Sequence, residues 1–243
     1  MSKITIECKK ITKSFGQGDI RVETLKGIDL VAHEREMIML MGPSGSGKTT
    51  LISIIGGILQ QDSGECLVLD TPINSLQGEE KTKFRGKSIG FMFQYFNLVP
   101  TLTAIENVSI PLMLNGYERD EIMDRSSELL HKMGLEAHRF RTPGNLSGGE
   151  QQRVAIARAC IHKPPIILCD EPTSFLDHDR GEQIMGLLQD IKAENNCTLI
   201  VVTHDPRILH HADRILTIED GMIREGIHDD ASKIAGVVEP VGR

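Results

Sequence analysis

The 243-residue chain is long for one domain and short for two, and 40% hydrophobic with 25% charged residues is the composition of a globular protein able to bury a sizeable core. A formal charge of −7, from 27 basic and 34 acidic residues, argues against broad non-specific nucleic-acid binding, which runs on surplus lysine and arginine. The apolar runs fall far short of the roughly 18 residues that span a bilayer; the start MSKITIECKK lacks the apolar stretch of a secretory signal, and five cysteines without a CxxC pair predict a reduced, cytosolic protein rather than a disulfide or zinc framework.

In chain order, segments 4–12 and 20–32 are rich in Ile, Val and Thr with partial alternation, and predict strands. Met37–Met41 is a continuous apolar run, as expected of a strand covered on both faces, with Met37, Met39 and Met41 as core filling. A Gly-rich loop and a helix over about 49–59 follow, then a turn at 62–64 and short strands over 65–70 and 88–93. Phe91 and Phe93 share strand parity and are expected in the core.

From about 96 to 163 the pattern is helical, with Ile122, Met123, Leu129, Leu130 and Met133 at helical spacing and 118–128 as a solvated face. Strands return at 165–169 and 198–202 around a polar helix over 179–195, and Asp220-Gly221 between short apolar runs predicts a hairpin. Strands alternating with helices predict an α/β core with a parallel sheet, over about 3–95 and 164–226. A helical subdomain at about 96–163 interrupts it, and 227–243 is expected as a frayed tail.

Gly42-Pro43-Ser44-Gly45-Ser46-Gly47-Lys48-Thr49-Thr50 fits G-x-x-x-x-G-K-[ST] between a buried strand and a helix, the context this motif requires. Its glycines let backbone N–H groups turn inward around phosphate oxygens, and the helix adds its positive end. Lys48 is placed to reach the β- and γ-phosphates and Thr49 to ligate Mg²⁺. A plain Gly/Ser corner is the competing reading, and the strand–loop–helix context disfavours it.

The buried-type strand 166–170 runs into adjacent acids, Asp170 and Glu171, followed by Pro172. Neighbouring strand side chains point to opposite faces, so one acid can hold Mg²⁺ while the other addresses a water. Asp170 is the metal candidate and Glu171 the general base. A second glycine motif, Ser147-Gly148-Gly149-Glu150, opens another helix. Ser147 and Glu150 alone make a capping box, but a cap needs no glycines inside it, whereas bare backbone suits a second approach to phosphate.

The word LSGGEQQR at 146–153 resembles the signature of ATP-binding cassette (ABC) ATPases, and other family elements stand in order. Gln94 resembles the Q-loop glutamine, Glu171 the catalytic glutamate, 174–177 the D-loop, His204 the switch histidine and Phe15 the adenine-stacking aromatic. The resemblance implies a P-loop NTPase of ABC type, with a RecA-like parallel core, an antiparallel β subdomain and the inserted helical subdomain. It further implies a head-to-tail dimer that sandwiches two ATPs between the phosphate loop of one subunit and Ser147, Gly148 and Gly149 of the other. Asp177 then lies at the seam, His204 at the γ-phosphate, and Gln94 at Mg²⁺ or water. Two departures stand out: Phe15 replaces the usual Tyr, and Phe175 occupies a D-loop position that is usually small.

GDIRVETLKGIDL and, after Gln94, FNLVPTLTAIENV resemble the lipoprotein-releasing and macrolide-export branch, with the cell-division ATPase as a relative. This implies a peripheral ATPase at the cytoplasmic face of the bacterial inner membrane, working with a separate integral membrane permease or mechanotransmission subunit and not with nucleic acid. Gln94, Tyr95, Phe96, Asn97 and Leu98 are the expected gripping surface, with Tyr95 and Phe96 equally readable as core. The alternatives are a DNA-repair or translation ABC ATPase, disfavoured by the single cassette and the ordinary motif spacing, and an ATP-dependent clamp with little turnover. His33-Glu34 lacks the second histidine of a zinc protease; His210-His211 near Asp213 reads as a surface pair rather than a metal site; and the absence of Asn-Lys-x-Asp disfavours guanine.

Overall fold

The early Ile/Val/Thr-rich segments pair antiparallel as β1 (Ile4–Phe15) and β2 (Val22–His33), with Ile4 opposite His33 and Phe15 opposite Val22. The computed structural model describes residues 2–16 and 18–225, so the predicted tail, 227–243, lies outside the described residues. β4 (Ser63–Val68) pairs along the other side of β1, placing Cys8 opposite Cys66, and the short β5 (Thr71–Pro72) completes a four-stranded sheet in the order β2-β1-β4-β5. The predicted strand over 65–70 ends early because Leu69 and Asp70 take positive φ values of 51° and 62°, which turn the chain.

A second sheet has six strands. β3 (Met37–Met41), β6 (Ile89–Met92), β7 (Ile166–Asp170), β8 (Thr198–Val202) and β9 (Arg214–Glu219) are parallel in the order β9-β3-β8-β7-β6, and β10 (Met222–Glu225) adds antiparallel to β9. The predicted hairpin at Asp220-Gly221 joins β9 to β10, with positive φ at both residues.

Helices cover the second sheet. α1 (Lys48–Ile55) is shorter than the predicted 49–59 because Gly56 and Gly57 end it, the latter at φ 64°. α2 (Gly78–Ser88) escaped the periodicity reading for a plain reason: it buries no residue, so it carries no apolar stripe. Its support is Glu79 and Glu80 at the start and Arg85 and Lys87 at the end, each complementing the helix dipole. The helical stretch resolves into α3 (Ala104–Leu114), α4 (Arg119–Lys132) and α5 (Gly148–Cys160), and the polar helix is α6 (His178–Asn195).

Both faces of β3 are buried, as its unbroken apolar run requires. Ile38 and Leu40 join Ile6, Leu25, Leu51 and Ile55 between the two sheets, while Met37 and Met39 face Val154, Ile156 and Leu188 beneath the helices. Met92, fully buried, fills the helical side of β6, while Phe91 is half-buried on the other face. Phe93 lies past the strand end, half-exposed with its ring 4.4 Å from that of Phe91, so parity alone overstated its burial. Among the described residues no helix is long and apolar enough to cross a membrane.

Candidate functional site

Parallel strands bring their carboxyl ends to one edge of the sheet, and ligands of such sheets bind there. Here β3 runs into loop 42–47, β6 into Gln94, β7 into Asp170 and Glu171, and β8 into His204. A cleft of about 670 Å³ at this edge is lined by Phe15, Gly42, Pro43, Ser44, Gly45, Gly47, Lys48, Thr49, Thr50, Gln94, Asp170, Glu171 and His204, together with Thr24.

Backbone geometry demands the loop glycines at two points. Gly42 sits at φ 143°, where a Cβ would lie 2.1 Å from the Ile218 carbonyl oxygen; Gly47 sits at φ 104°, where one would lie 2.6 Å from Leu25 Cδ2. Lys48, buried at the head of α1, donates from Nζ to the carbonyls of Gly42 and Pro43, both at 2.8 Å, which holds its charge over the loop. Burial pulls its pKa below the ordinary lysine value, and the charges of Glu171 and Asp170 oppose that pull. Ser46 is buried and lies outside the cleft lining, with its Oγ lacking a hydrogen-bond partner.

Thr49 Oγ1 donates to Asp170 Oδ1 at 3.1 Å, setting two hard oxygen donors together beside the lysine. Burial raises the Asp170 pKa, the Thr49 hydrogen bond acts against that rise, and the neighbouring Glu171 charge adds to it. A divalent cation relieves this cost, so the donor set fits Mg²⁺.

Glu171 departs from the simple strand reading. β7 ends at Asp170, and Glu171 takes a left-handed φ of 52°, a conformation costing about 1–3 kcal/mol. Its N–H donates to the Val202 carbonyl at 3.0 Å, and its own carbonyl accepts from Ser174 N at 3.3 Å and Ser174 Oγ at 3.1 Å. The two acids therefore diverge through a backbone kink as well as through alternation. The kink aims Glu171 at His204, whose Nδ1 lies 2.8 Å from Oε1 and 2.7 Å from Oε2.

Not every predicted site residue reaches the cleft. Ser46, Ser147, Gly148, Gly149 and Asp177 lie outside its lining. Ser147 and Glu150 do form the capping box, yet a Cβ at Gly148 would meet nothing within 4 Å, so the fold of this chain does not need glycine there. Asp177 caps α6, accepting from Arg180 N at 3.0 Å. Phe175 turns its bulk toward the segment after Gln94, its ring centroid 6.0 Å from Tyr95 and 5.8 Å from Phe96. Tyr95 is 75% exposed and Phe96 is half-buried against the core, which separates two residues the sequence left alike.

Two contributors carry no motif. Thr24 reaches the cleft because β2 passes beneath the phosphate loop, a tertiary approach without a local signal. Arg158 on α5 donates to the carbonyls of Phe96 at 2.6 Å and Asn97 at 2.7 Å, tying the second glycine helix to the segment after Gln94.

The sequence profile of the ABC transporter family matches residues 25–174, more than half of the chain. The chain belongs to the ABC transporter family. The macrolide export ATP-binding/permease protein MacB of Pasteurella multocida is 40% identical over 92% of this chain, which spans only 34% of that longer protein. The lipoprotein-releasing system ATP-binding protein LolD of Chromohalobacter salexigens is 37% identical over 92% of this chain and 94% of its own length. A dimeric post-hydrolysis structure of the cassette MJ0796 of Methanocaldococcus jannaschii, bound to ADP and phosphate, superposes with a TM-score of 0.85 at 41% identity, covering 91% of this chain and all of the other. The chain is thus an ATP-binding, ABC-type ATPase cassette of the LolD/MacB branch, with the fold expected of it.

Proposed function

We propose that this cassette closes as a homodimer on ATP and Mg²⁺ and drives an integral membrane partner of lipoprotein-release or macrolide-export type from the cytoplasmic face of a bacterial inner membrane. The observation that carries this reading is a division of labour. One cleft gathers Lys48, Thr49, Gln94, Asp170, Glu171 and His204, while the second glycine motif and Asp177 stand outside it. A site split in this way is completed by a second copy, whose Ser147, Gly148 and Gly149 present bare backbone at a helix N-terminus to the triphosphate.

Within the cleft, Phe15, 44% exposed at the end of β1, offers its ring to the adenine. The backbone N–H groups of residues 44–50 surround the phosphates, and Lys48 turns from the Gly42 and Pro43 carbonyls to the β- and γ-phosphates. Thr49, Asp170 and Gln94 are the residues to hold Mg²⁺, which when bound neutralises charge developing on the phosphate oxygens. Glu171 accepts a proton from water as the water oxygen attacks the γ-phosphorus, and the β–γ bridging oxygen leaves with ADP. His204 positions the Glu171 carboxylate before attack and meets the γ-phosphate once ATP is in place. The domain division proposed is a core of 3–95 and 164–226 around a helical subdomain of 96–163, with Gln94 at their junction.

The test is Glu171→Gln on the intact chain. ATP is expected to drive it into a stable dimer on a sizing column, and pull-down from detergent-solubilised membranes to recover an integral membrane protein. A variant that stays monomeric with ATP and captures no membrane protein sinks the proposal.

A further inference from the structure

His210 and His211 close a short helix, 206–211, that begins just after His204. Their partner is not the nearby Asp213, which is taken by the Met37 amide and Lys192, both at 2.7 Å. It is Glu182, one turn into α6, whose Oε2 lies 2.9 Å from His211 Nε2 and 3.3 Å from His210 Nε2. The two rings sit side by side with centroids 4.1 Å apart, and the three ligand-type atoms all lie within 4.8 Å of one another.

Tautomers decide what this arrangement is suited to. His210 Nδ1 lies 2.9 Å from the Arg207 carbonyl, which can only accept, so Nδ1 carries the hydrogen. Neutral His210 then sets an unprotonated Nε2 3.3 Å from a carboxylate oxygen, a contact of two electron-rich atoms. Something positive belongs between them. An Nδ1–H···O=C hydrogen bond is also the outer contact that fixes a metal-binding imidazole with Nε2 outward. Gln189 of α6 ties the His211 backbone by donating to its carbonyl at 3.1 Å, while Glu182 Oε1 is buried without a partner.

We propose that Glu182, His210 and His211 form a site for a borderline divalent transition metal, best suited to Zn²⁺. Two imidazoles and a carboxylate are zinc donors, and bonds of about 2.0–2.1 Å to a tetrahedral ion place ligand atoms roughly 3.3 Å apart, against 2.9 and 3.3 Å here from Glu182 to the two imidazoles. The site is open to solvent, with the His210 side chain 57% exposed, so the ion has an entry path and water can take the remaining position. It lies outside the nucleotide cleft and joins the helix following His204 to α6, which Asp177 opens. An ion there staples together two elements that directly follow His204 and Asp177 in the chain.

The experiment uses the full chain, stripped with a chelator and without nucleotide. Zn²⁺ is titrated against a chromophoric competitor, and melting temperature is read with and without Zn²⁺. The expected result is one ion per chain and a zinc-dependent rise in melting temperature. In His210→Ala and Glu182→Gln, affinity falls at least about tenfold and the rise disappears, while the metal-free melting temperature confirms that both variants fold. Failure of the wild type to bind one equivalent overturns the proposal and leaves a proton-bridged ion pair. Binding that survives unchanged in both variants places the metal elsewhere and overturns it equally.

Discussion

The imidazole of His204 rests on the Glu171 carboxylate, with Nδ1 within 2.8 Å of both oxygens. A carboxylate accepts only, so His204 donates Nδ1–H, and the acid's orientation is set by a residue from the neighbouring strand end. His204 is largely exposed and free to leave, whereas Glu171 is held by its kinked backbone. His204→Ala should therefore cut ATP turnover about 100-fold or more, the usual worth of organised general-base chemistry. ATP affinity, measured by equilibrium binding, should change only a few-fold. A turnover within a few-fold of wild type would remove His204 from this role.

Gly148 separates folding from function. Its Cβ position is open and Asp suits the first turn of α5 through the helix dipole, so Gly148→Asp should melt no lower than wild type. Turnover should nevertheless fall at least about 100-fold, because the added carboxylate repels phosphate across the proposed dimer seam. Retained activity would mean the second glycine motif reads no nucleotide.

Arg158 gives up hydration to grip the carbonyls of Phe96 and Asn97, both at positive φ. Burial draws its pKa down from the ordinary arginine value. Lysine cannot reproduce a two-pronged grip, so Arg158→Lys should lose about 2 kcal/mol, or roughly 4–8 °C of melting temperature in a chain of this size. Hydrogen exchange should quicken over 95–98 before the rest of the fold opens. Uniform exchange would assign Arg158 to general stability alone.

His162 predicts a pH dependence. Burial pushes its pKa down to about 4, against an upward pull from the Ile89 backbone, with Arg125 adding to the depression. The unfolded chain takes up that proton near the ordinary histidine value while the folded chain does not. The stability is thus complete above about pH 6.5 and is lost as pH falls toward 4, a span worth about 3 kcal/mol at most. His162→Gln should flatten that part of a denaturation-versus-pH curve. An unchanged curve would assign the acid loss to other groups.

Much of the nucleotide cleft was legible because its chemistry is written locally. Gly42 to Thr50 is one contiguous word between a strand and a helix, and Asp170 and Glu171 follow the buried run that ends at the same sheet edge. Parallel topology then brings Gln94 and His204 to that edge without further instruction. Where local pattern was weak the reading failed: α2 buries nothing and left no periodicity, and the kink at Glu171 is a backbone conformation that residue type does not announce.

Sequence by itself determined most of the strands and helices, the Gly-rich loop, the candidate acids and the family, since each depends on side chains close together in the chain. Tertiary structure alone decided that Thr24 borders the cleft, that Arg158 holds the Phe96 and Asn97 carbonyls, and that His210 and His211 meet Glu182 rather than Asp213. These are meetings between distant segments, set by how helices and sheets pack. Packing sums many weak contacts across the whole molecule, so no short stretch of residues contains the outcome.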